Sequence, residues 1–266
     1  MGYYLGGGQI QRAPLPWLCS IAAIACFYEG GMFLNDICDY SVDLRERPGR
    51  PLPSGQISKL SVILITLCLF IVGMGLVVFY LPQALVLSVL LLGLICTYNF
   101  IHTQFNLAPL LMGACRGCVY LIAATAAGWQ DIYGSNAVLI MSLGITLYIS
   151  AVSFIARDEL KGSLGRVQRL SAIVLFGVLL WPVVFAQQLD GVLLIGFLPV
   201  CYWFIRTEIQ LFRRKISPPK AVGSMLAGIS LWDALVLATA QSISGMCLAW
   251  ACFGGARLWQ RRIQST

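Results

Sequence analysis

Apolar residues dominate eight runs of the chain, roughly 17–38, 58–80, 83–102, 107–128, 135–157, 169–188, 191–211 and 223–252, separated by short polar or Gly/Pro-rich segments. About twenty residues at a rise of ~1.5 Å cross the ~30 Å hydrocarbon core of a bilayer, so each run predicts a transmembrane helix. None shows the period-two alternation that a barrel wall needs. The last run is longer than a crossing requires and is expected to tilt, or to break near Gly245. Pro82, Pro109, Pro182 and Pro199 fall at or near run ends, where a missing backbone donor costs little, or kink helices that neighbours support. The predicted fold is all-α: a polytopic transmembrane helical bundle of about eight helices, with residues 1–266 as a single domain.

Composition excludes the alternatives. Of 266 residues, 59% are apolar and 11% charged. That leaves too few charges to coat a soluble globule, and it is the opposite of what keeps a chain disordered. The net charge of +7 is laid out by topology. The loops after the first, fifth and seventh runs carry Arg45, Arg47, Arg50 and Lys59, then Arg157, Lys161, Arg166 and Arg169, then Arg206, Arg213, Arg214, Lys215 and Lys220. Alternating passage puts all three on one face, and excess Lys/Arg marks it as cytoplasmic. Arg12 and the terminal Arg257, Arg261 and Arg262 fall on the other face, so the tail departs from the rule unless the last run is broken. The ten cysteines, Cys115 and Cys118 included, read as small apolar packing residues. With one histidine, a Cys/His metal centre is not expected. No removable signal peptide is expected, since Met1 to Gln11 lacks a basic segment followed by an apolar one. Beyond the net charge, nothing supports nucleic-acid binding.

The chemistry concentrates where the first run meets its loop. On a helix, Asp36, Asp39 and Asp43 are three and then four residues apart and stack along one face beside Asn35. Carboxylates this close repel unless a cation lies between them. A hard divalent ion such as Mg²⁺ takes one or two carboxylates and completes its shell with water and substrate phosphates. Just beyond stand Arg45, Arg47 and Arg50 in a Pro/Gly-rich loop, and guanidinium forks suit phosphate oxygens. Acid followed at once by base is the pattern a metal-bridged diphosphate requires.

At these residues the sequence resembles the UbiA superfamily of intramembrane prenyltransferases, and within it the EboC-like group. Asn35-Asp36-x-x-Asp39-x-x-x-Asp43, followed by Arg50-Pro51-Leu52-Pro53-Ser54-Gly55, matches the superfamily's first signature. The resemblance implies a UbiA-like bundle and Mg²⁺ as cofactor. It implies an isoprenyl diphosphate and a small acceptor as partners in contact with membrane lipid. It makes Asp36, Asp39 and Asp158 catalytic and Asn35, Asp36, Asp39, Asp43, Asp158 and Glu159 metal ligands. Asn35, Arg45, Arg50, Tyr98, His102, Arg157 and Lys161 become substrate-binding. The membrane implied is a bacterial plasma membrane, with the motif loops cytoplasmic.

Three departures are visible. The family's first signature usually lies on the second of nine spans, whereas here it closes the first of eight, as if the first helix were missing. The second motif, Asp-x-x-x-Asp, is expected after the fifth run, where Asp158 is followed by Gly162 in place of the second Asp and Glu159 is the substitute. The family's Tyr-x-x-x-Lys reads Tyr98-x-x-x-His102. Helix parity puts the loops after runs one and five on one face, so Asp36 and Asp158 can meet across a bundle mouth. Basic residues follow both acidic clusters, consistent with a duplicated four-helix unit.

Glu29, Arg116 and Asp233 lie deeper, where charges need partners. Glu29 is expected to pair with Arg116, with a role as base for the acceptor proton as the alternative. Asp233, beside Trp232, reads as a packing-network member. Tyr98, Tyr148 and Phe154 could face a cation, but aromatic residues at helical spacing are ordinarily core. The rival function is a secondary transporter relaying protons or cations through Glu29, Asp36 and Asp233. A phosphatidyl-alcohol transferase ranks last, because its Asp-Gly-x-x-Ala-Arg signature is absent.

Overall fold

The computed structural model describes residues 2–5, 7, 14–128, 136–157, 166–184, 186, 190–213 and 215–263. These residues form helices α1 (Gly2–Leu5), α2 (Pro14–Cys38), α3 (Tyr40–Glu46), α4 (Lys59–Tyr80), α5 (Leu85–Ile101), α6 (Ala108–Ala126), α7 (Asn136–Arg157), α8 (Arg166–Val184), α9 (Gly191–Phe212), α10 (Pro218–Thr239) and α11 (Ile243–Ile263). Among the described residues there is no strand. The helices fall into two compact units, Gly2–Gly134 and Ser135–Thr266. The boundary lies between the fourth and fifth apolar runs, where the internal repetition divides the sequence.

Local chemistry sets the helix ends. Ser58 caps α4, its Oγ accepting from the Ser61 amide at 3.0 Å, which satisfies one of the donors a helix start leaves free. Asp190 does the same for α9 through the Leu193 amide at 2.9 Å. Pro82 ends α4 and opens a single turn of 3₁₀ helix, and Pro109 sits in the first turn of α6, where no donor is needed. Pro182 and Pro199, by contrast, lie inside α8 and α9.

In the first unit, α2 and α4 interlock through reciprocal glycines. The Phe70 ring fills the place of a Cβ on Gly30, and the Phe27 ring that of a Cβ on Gly73. Phe27, Leu81, Leu91 and Ile122 are buried in one cluster shared by α2, α4, α5 and α6. In the second unit, Tyr148 of α7 is buried against Phe204 of α9, edge to face at 5.4 Å, and against Trp232 of α10. Its hydroxyl donates to the Met225 carbonyl at 2.7 Å, so the phenol is satisfied in an apolar core. Tyr148 is therefore a core residue, as its spacing suggested.

The outer faces are apolar, with Phe79 80%, Val86 79% and Ile71 71% exposed. Exposed apolar surface on this scale is stable only in lipid. Hydroxyls within the helices bond back to carbonyls four residues earlier, as Thr66 does to Val62, Thr146 to Ser142 and Ser150 to Thr146.

The last run breaks, one of the two outcomes expected of it, but at Gln241 and not at Gly245. It divides into α10 and α11 at Gln241, whose φ of 57° is the left-handed turn that sends the chain back. Gly245 lies beyond this turn. A Cβ there would meet Ser242 Oγ at 2.9 Å and Leu237 Cδ2 at 3.2 Å, so its service is close approach of the two helices. Gln260 of α11 donates to the Gly223 carbonyl of α10 at 2.8 Å, which brings the turns carrying Arg257, Arg261 and Arg262 back to the end of the unit that holds Lys220. The tail therefore lies at the basic end of its own unit and does not oppose it. Among the described residues seven helices are long and apolar enough to cross a membrane, α8 contributes a shorter apolar stretch, and α11 is the least apolar of the long helices.

Candidate active site

The Asp-rich segment holds its helical spacing through the junction of α2 and α3. The Asp39 amide bonds the Asn35 carbonyl at 2.8 Å and the Asp43 amide bonds the Asp39 carbonyl at 2.9 Å. Asn35, Asp36, Asp39 and Asp43 thus share one stripe. After Glu46 the chain leaves the helix and winds tightly: the Ser54 amide bonds the Arg50 carbonyl at 2.9 Å and the Ile57 amide the Pro51 carbonyl at 3.2 Å. Gly55 turns at φ 77°, a conformation open to glycine. The buried Leu52 anchors the loop, which folds Arg50 back over the stripe.

Arg50 is the cation between the carboxylates. Its Nη1 donates to Asp43 Oδ2 at 2.6 Å and stands 3.5 Å from Asp36 Oδ1. Asp43 is 5% exposed, so this charge is stable where it lies because it is paired. Asp39 faces an imidazole, with His102 Nε2 at 3.1 Å from its Oδ1. The His102 Nδ1 lies 3.1 Å from the Asn99 carbonyl, so the ring meets oxygen on both sides and stacks on Tyr98 at 5.3 Å. Arg45 and Arg47 are exposed beyond the stripe, and Lys59 lies over the Tyr40 ring.

Asp36 and Asp43 gathered on one cation are the donor set that a hard divalent ion accepts when water and substrate phosphates complete its shell, so the residues present fit such an ion. Among the described residues no three His, Cys, Asp or Glu side chains are grouped to hold one unaided. Asp158, Glu159 and Lys161, and the Gly162 that replaces the second Asp, lie outside the described residues. Arg157 is described as the last residue of α7, with an interaction of its own.

The expected Glu29–Arg116 pair does not form. The Glu29 side chain is exposed on α2, while Arg116 has its Nε buried in α6 with no hydrogen-bond partner among the described residues. Asp233 is engaged with a partner.

Two residues escaped the sequence reading. Asn99 is buried in α5, donates to the Ile95 carbonyl at 2.9 Å and reaches the Gly31 carbonyl of α2 at 3.5 Å, while its Oδ1 has no partner among the described residues. It ties the helix carrying His102 to the helix carrying Asp36; its one signal is an amide set three residues before the lone histidine. Glu208 is 3% exposed in α9 with both oxygens unpartnered among the described residues, and an acid within an apolar run was its signal.

Long apolar helices with lipid-facing outer surfaces define a multi-pass integral membrane protein. The chain belongs to the UbiA prenyltransferase family, whose model matches residues 1–226. It is 32% identical over 118 residues to 4-hydroxybenzoate octaprenyltransferase of Pectobacterium carotovorum, covering 43% of this chain and 40% of that protein. It is 28% identical over 151 residues to digeranylgeranylglyceryl phosphate synthase of Methanoregula boonei, covering 54% and 49%. The chain thus spans less than half the length of these curated relatives. In fold it resembles the apo structure of a UbiA homolog from Aeropyrum pernix K1, with a TM-score of 0.71 at 16% identity over 91% of this chain and 92% of that one. It also resembles a digeranylgeranylglyceryl phosphate synthase structure, with a TM-score of 0.63 at 18% identity over 92% and 90%. Family membership leaves the transporter and phosphatidyl-alcohol transferase readings without support.

Proposed function

We propose that residues 1–266 act as one domain that transfers a prenyl group from an isoprenyl diphosphate to an aromatic or other small acceptor within the membrane. The observation that carries this reading is the carboxylate stripe of Asp36, Asp39 and Asp43 with Arg50 bridging Asp36 and Asp43. The relatives named 4-hydroxybenzoate octaprenyltransferase and digeranylgeranylglyceryl phosphate synthase support an acceptor with a polar, anionic end.

Asn35, Asp36, Asp39 and Asp43, with Asp158 and Glu159, would hold Mg²⁺, which when bound supplies positive charge against a diphosphate leaving group. Arg50, freed from the carboxylates, contacts phosphate oxygens with Arg45, Arg157 and Lys161. His102, on Tyr98, keeps Asp39 oriented and adds a donor where the family has lysine. Spreading charge over these donors makes diphosphate a better leaving group. The allylic cation left behind bonds to the acceptor, which gives up a proton; water would quench the cation first, so the reaction belongs among apolar helices whose outer side is lipid. The prenyl tail enters from that lipid. The motif loops lie on the cytoplasmic side of a bacterial plasma membrane, the side that excess Lys/Arg marks.

The test is incubation of the purified protein with labelled isoprenyl diphosphates, Mg²⁺ and a panel of phenolic acids, quinols and glycerol phosphates, beside Asp36→Asn. The parent should release diphosphate only with Mg²⁺. The variant should be at least about a hundredfold slower, which corresponds to ~2.7 kcal/mol of lost transition-state stabilisation. Equal turnover in the two proteins overturns the proposal.

A further inference from the structure

The last two turns of α9 carry a basic groove that the proposed reaction does not use. Arg206 and Arg213 are seven residues apart, about 10 Å along one helix face. Beyond Phe212 the chain turns back, the Lys215 amide bonding the Gln210 carbonyl at 2.9 Å, and this closes the groove with a third cation. The cavity so formed measures about 410 Å³ and is lined by Tyr202, Ile205, Ile209 and the three basic side chains. Tyr202 is 63% exposed and Ile209 44%, so the floor of the groove belongs to the outer apolar surface.

Charge and depth together identify the occupant. Arg206 lies about 9 Å short of the end of its span. Its guanidinium rests over the Tyr202 ring at 6.0 Å and reaches the Tyr202 hydroxyl at 3.5 Å. None of the three cations has an ion-pair partner among the described residues, and the acid of this helix segment, Glu208, is buried on the opposite side. A cation on a lipid-facing surface snorkels toward the interface, and the anions it meets there are headgroup phosphates. The apolar floor suits acyl chains and the basic rim suits a phosphate. We infer that this groove, built from none of the residues of the Asp-rich stripe, binds the phosphate headgroup of an anionic membrane phospholipid.

The test is native mass spectrometry of the full chain released from nanodiscs of mixed phosphatidylglycerol and phosphatidylcholine. The parent should retain phosphatidylglycerol selectively, and less of it as salt rises. The triple variant Arg206→Gln, Arg213→Gln, Lys215→Gln should lose on the order of a hundredfold in affinity, as expected for three basic groups near a membrane surface. Arg213→Gln alone, at the exposed end of the groove, should lose about fivefold. Lys220→Gln, a basic residue of the same end but outside the groove, should leave retention unchanged. Equal retention of the two lipids by the parent overturns the inference, as does undiminished phosphatidylglycerol on the triple and single variants. Displacement of the lipid by free glycerol phosphate would show a soluble-phosphate site instead, and protection of the groove by a second copy of the chain in neutral lipid would show an oligomer interface. Either result refutes it.

Discussion

Arg50 is the residue on which the Asp-rich stripe depends, and removing it should cost stability before any catalytic question arises. Arg50→Gln takes away a charge-assisted bond of 2.6 Å and leaves Asp43, 5% exposed, as a buried carboxylate without its partner. Breaking a buried ion pair from one side costs ~3–5 kcal/mol, whereas a single hydrogen bond to a charged group is worth ~1.5–3 kcal/mol. The Arg50 side chain is 39% exposed, so water screens part of the attraction and the lower scale applies. A loss of about 2 kcal/mol is expected. Asp43→Asn should cost less, because a neutral amide tolerates burial better, and the double variant should recover about 1–2 kcal/mol relative to the sum of the singles. The assay is unfolding in mixed micelles by titrated sodium dodecyl sulfate, followed by far-ultraviolet circular dichroism. Additivity of the two singles within ~0.5 kcal/mol would refute the claim that Arg50 and Asp43 act as a unit.

Two further outcomes follow from packing and capping. Gly73→Ala puts a Cβ 2.8 Å from the Phe27 ring and should destabilise by ~1–3 kcal/mol, while Gly75→Ala, with nothing within 4 Å, should be neutral or stabilising by ~0.5–1 kcal/mol in the same unfolding assay. Equal effects at the two positions would contradict the glycine interlock. The Asp190 carboxyl is held below the usual carboxylate range by the Leu193 N–H that it accepts. A lowered pKa contributes stability above the unfolded value near ~3.9 and loses it as pH falls below that. Hydrogen exchange at the Leu193 amide should therefore quicken, relative to other α9 amides, as pH drops below about 4. Asp190→Asn should keep the cap and abolish that dependence; an unchanged pH profile in the variant would count against it.

Much of the architecture was legible because a bilayer imposes length. Runs read at 17–38, 58–80 and 191–211 became Pro14–Cys38, Lys59–Tyr80 and Gly191–Phe212. The excess length of the last run foretold a break but not its place, because apolarity does not reveal a turn made by a non-glycine residue: Gln241 takes the left-handed conformation and Gly245, the apparent breaker, serves packing. In the site, helical periodicity revealed the stripe of Asp36, Asp39 and Asp43. The choice of Arg50 over Arg45 and Arg47 as the bridging cation depends on the wound loop after Glu46, whose path no periodicity encodes. The link from Asn99 to Gly31 depends on how α5 meets α2, which is equally absent from a linear pattern.

The return of α11 along α10 bears on how the chain is made. Arg257 lies over the Trp203 ring at 4.7 Å and bonds Gln260, which in turn holds Gly223, so these two polar side chains of α11 rest on helices synthesised before it. A segment with that burden gains little by partitioning alone into hydrocarbon. During biosynthesis α11 is thus expected to leave the translocon as the second arm of a hairpin, its entry into the bilayer drawn by contacts that α9 and α10 already offer.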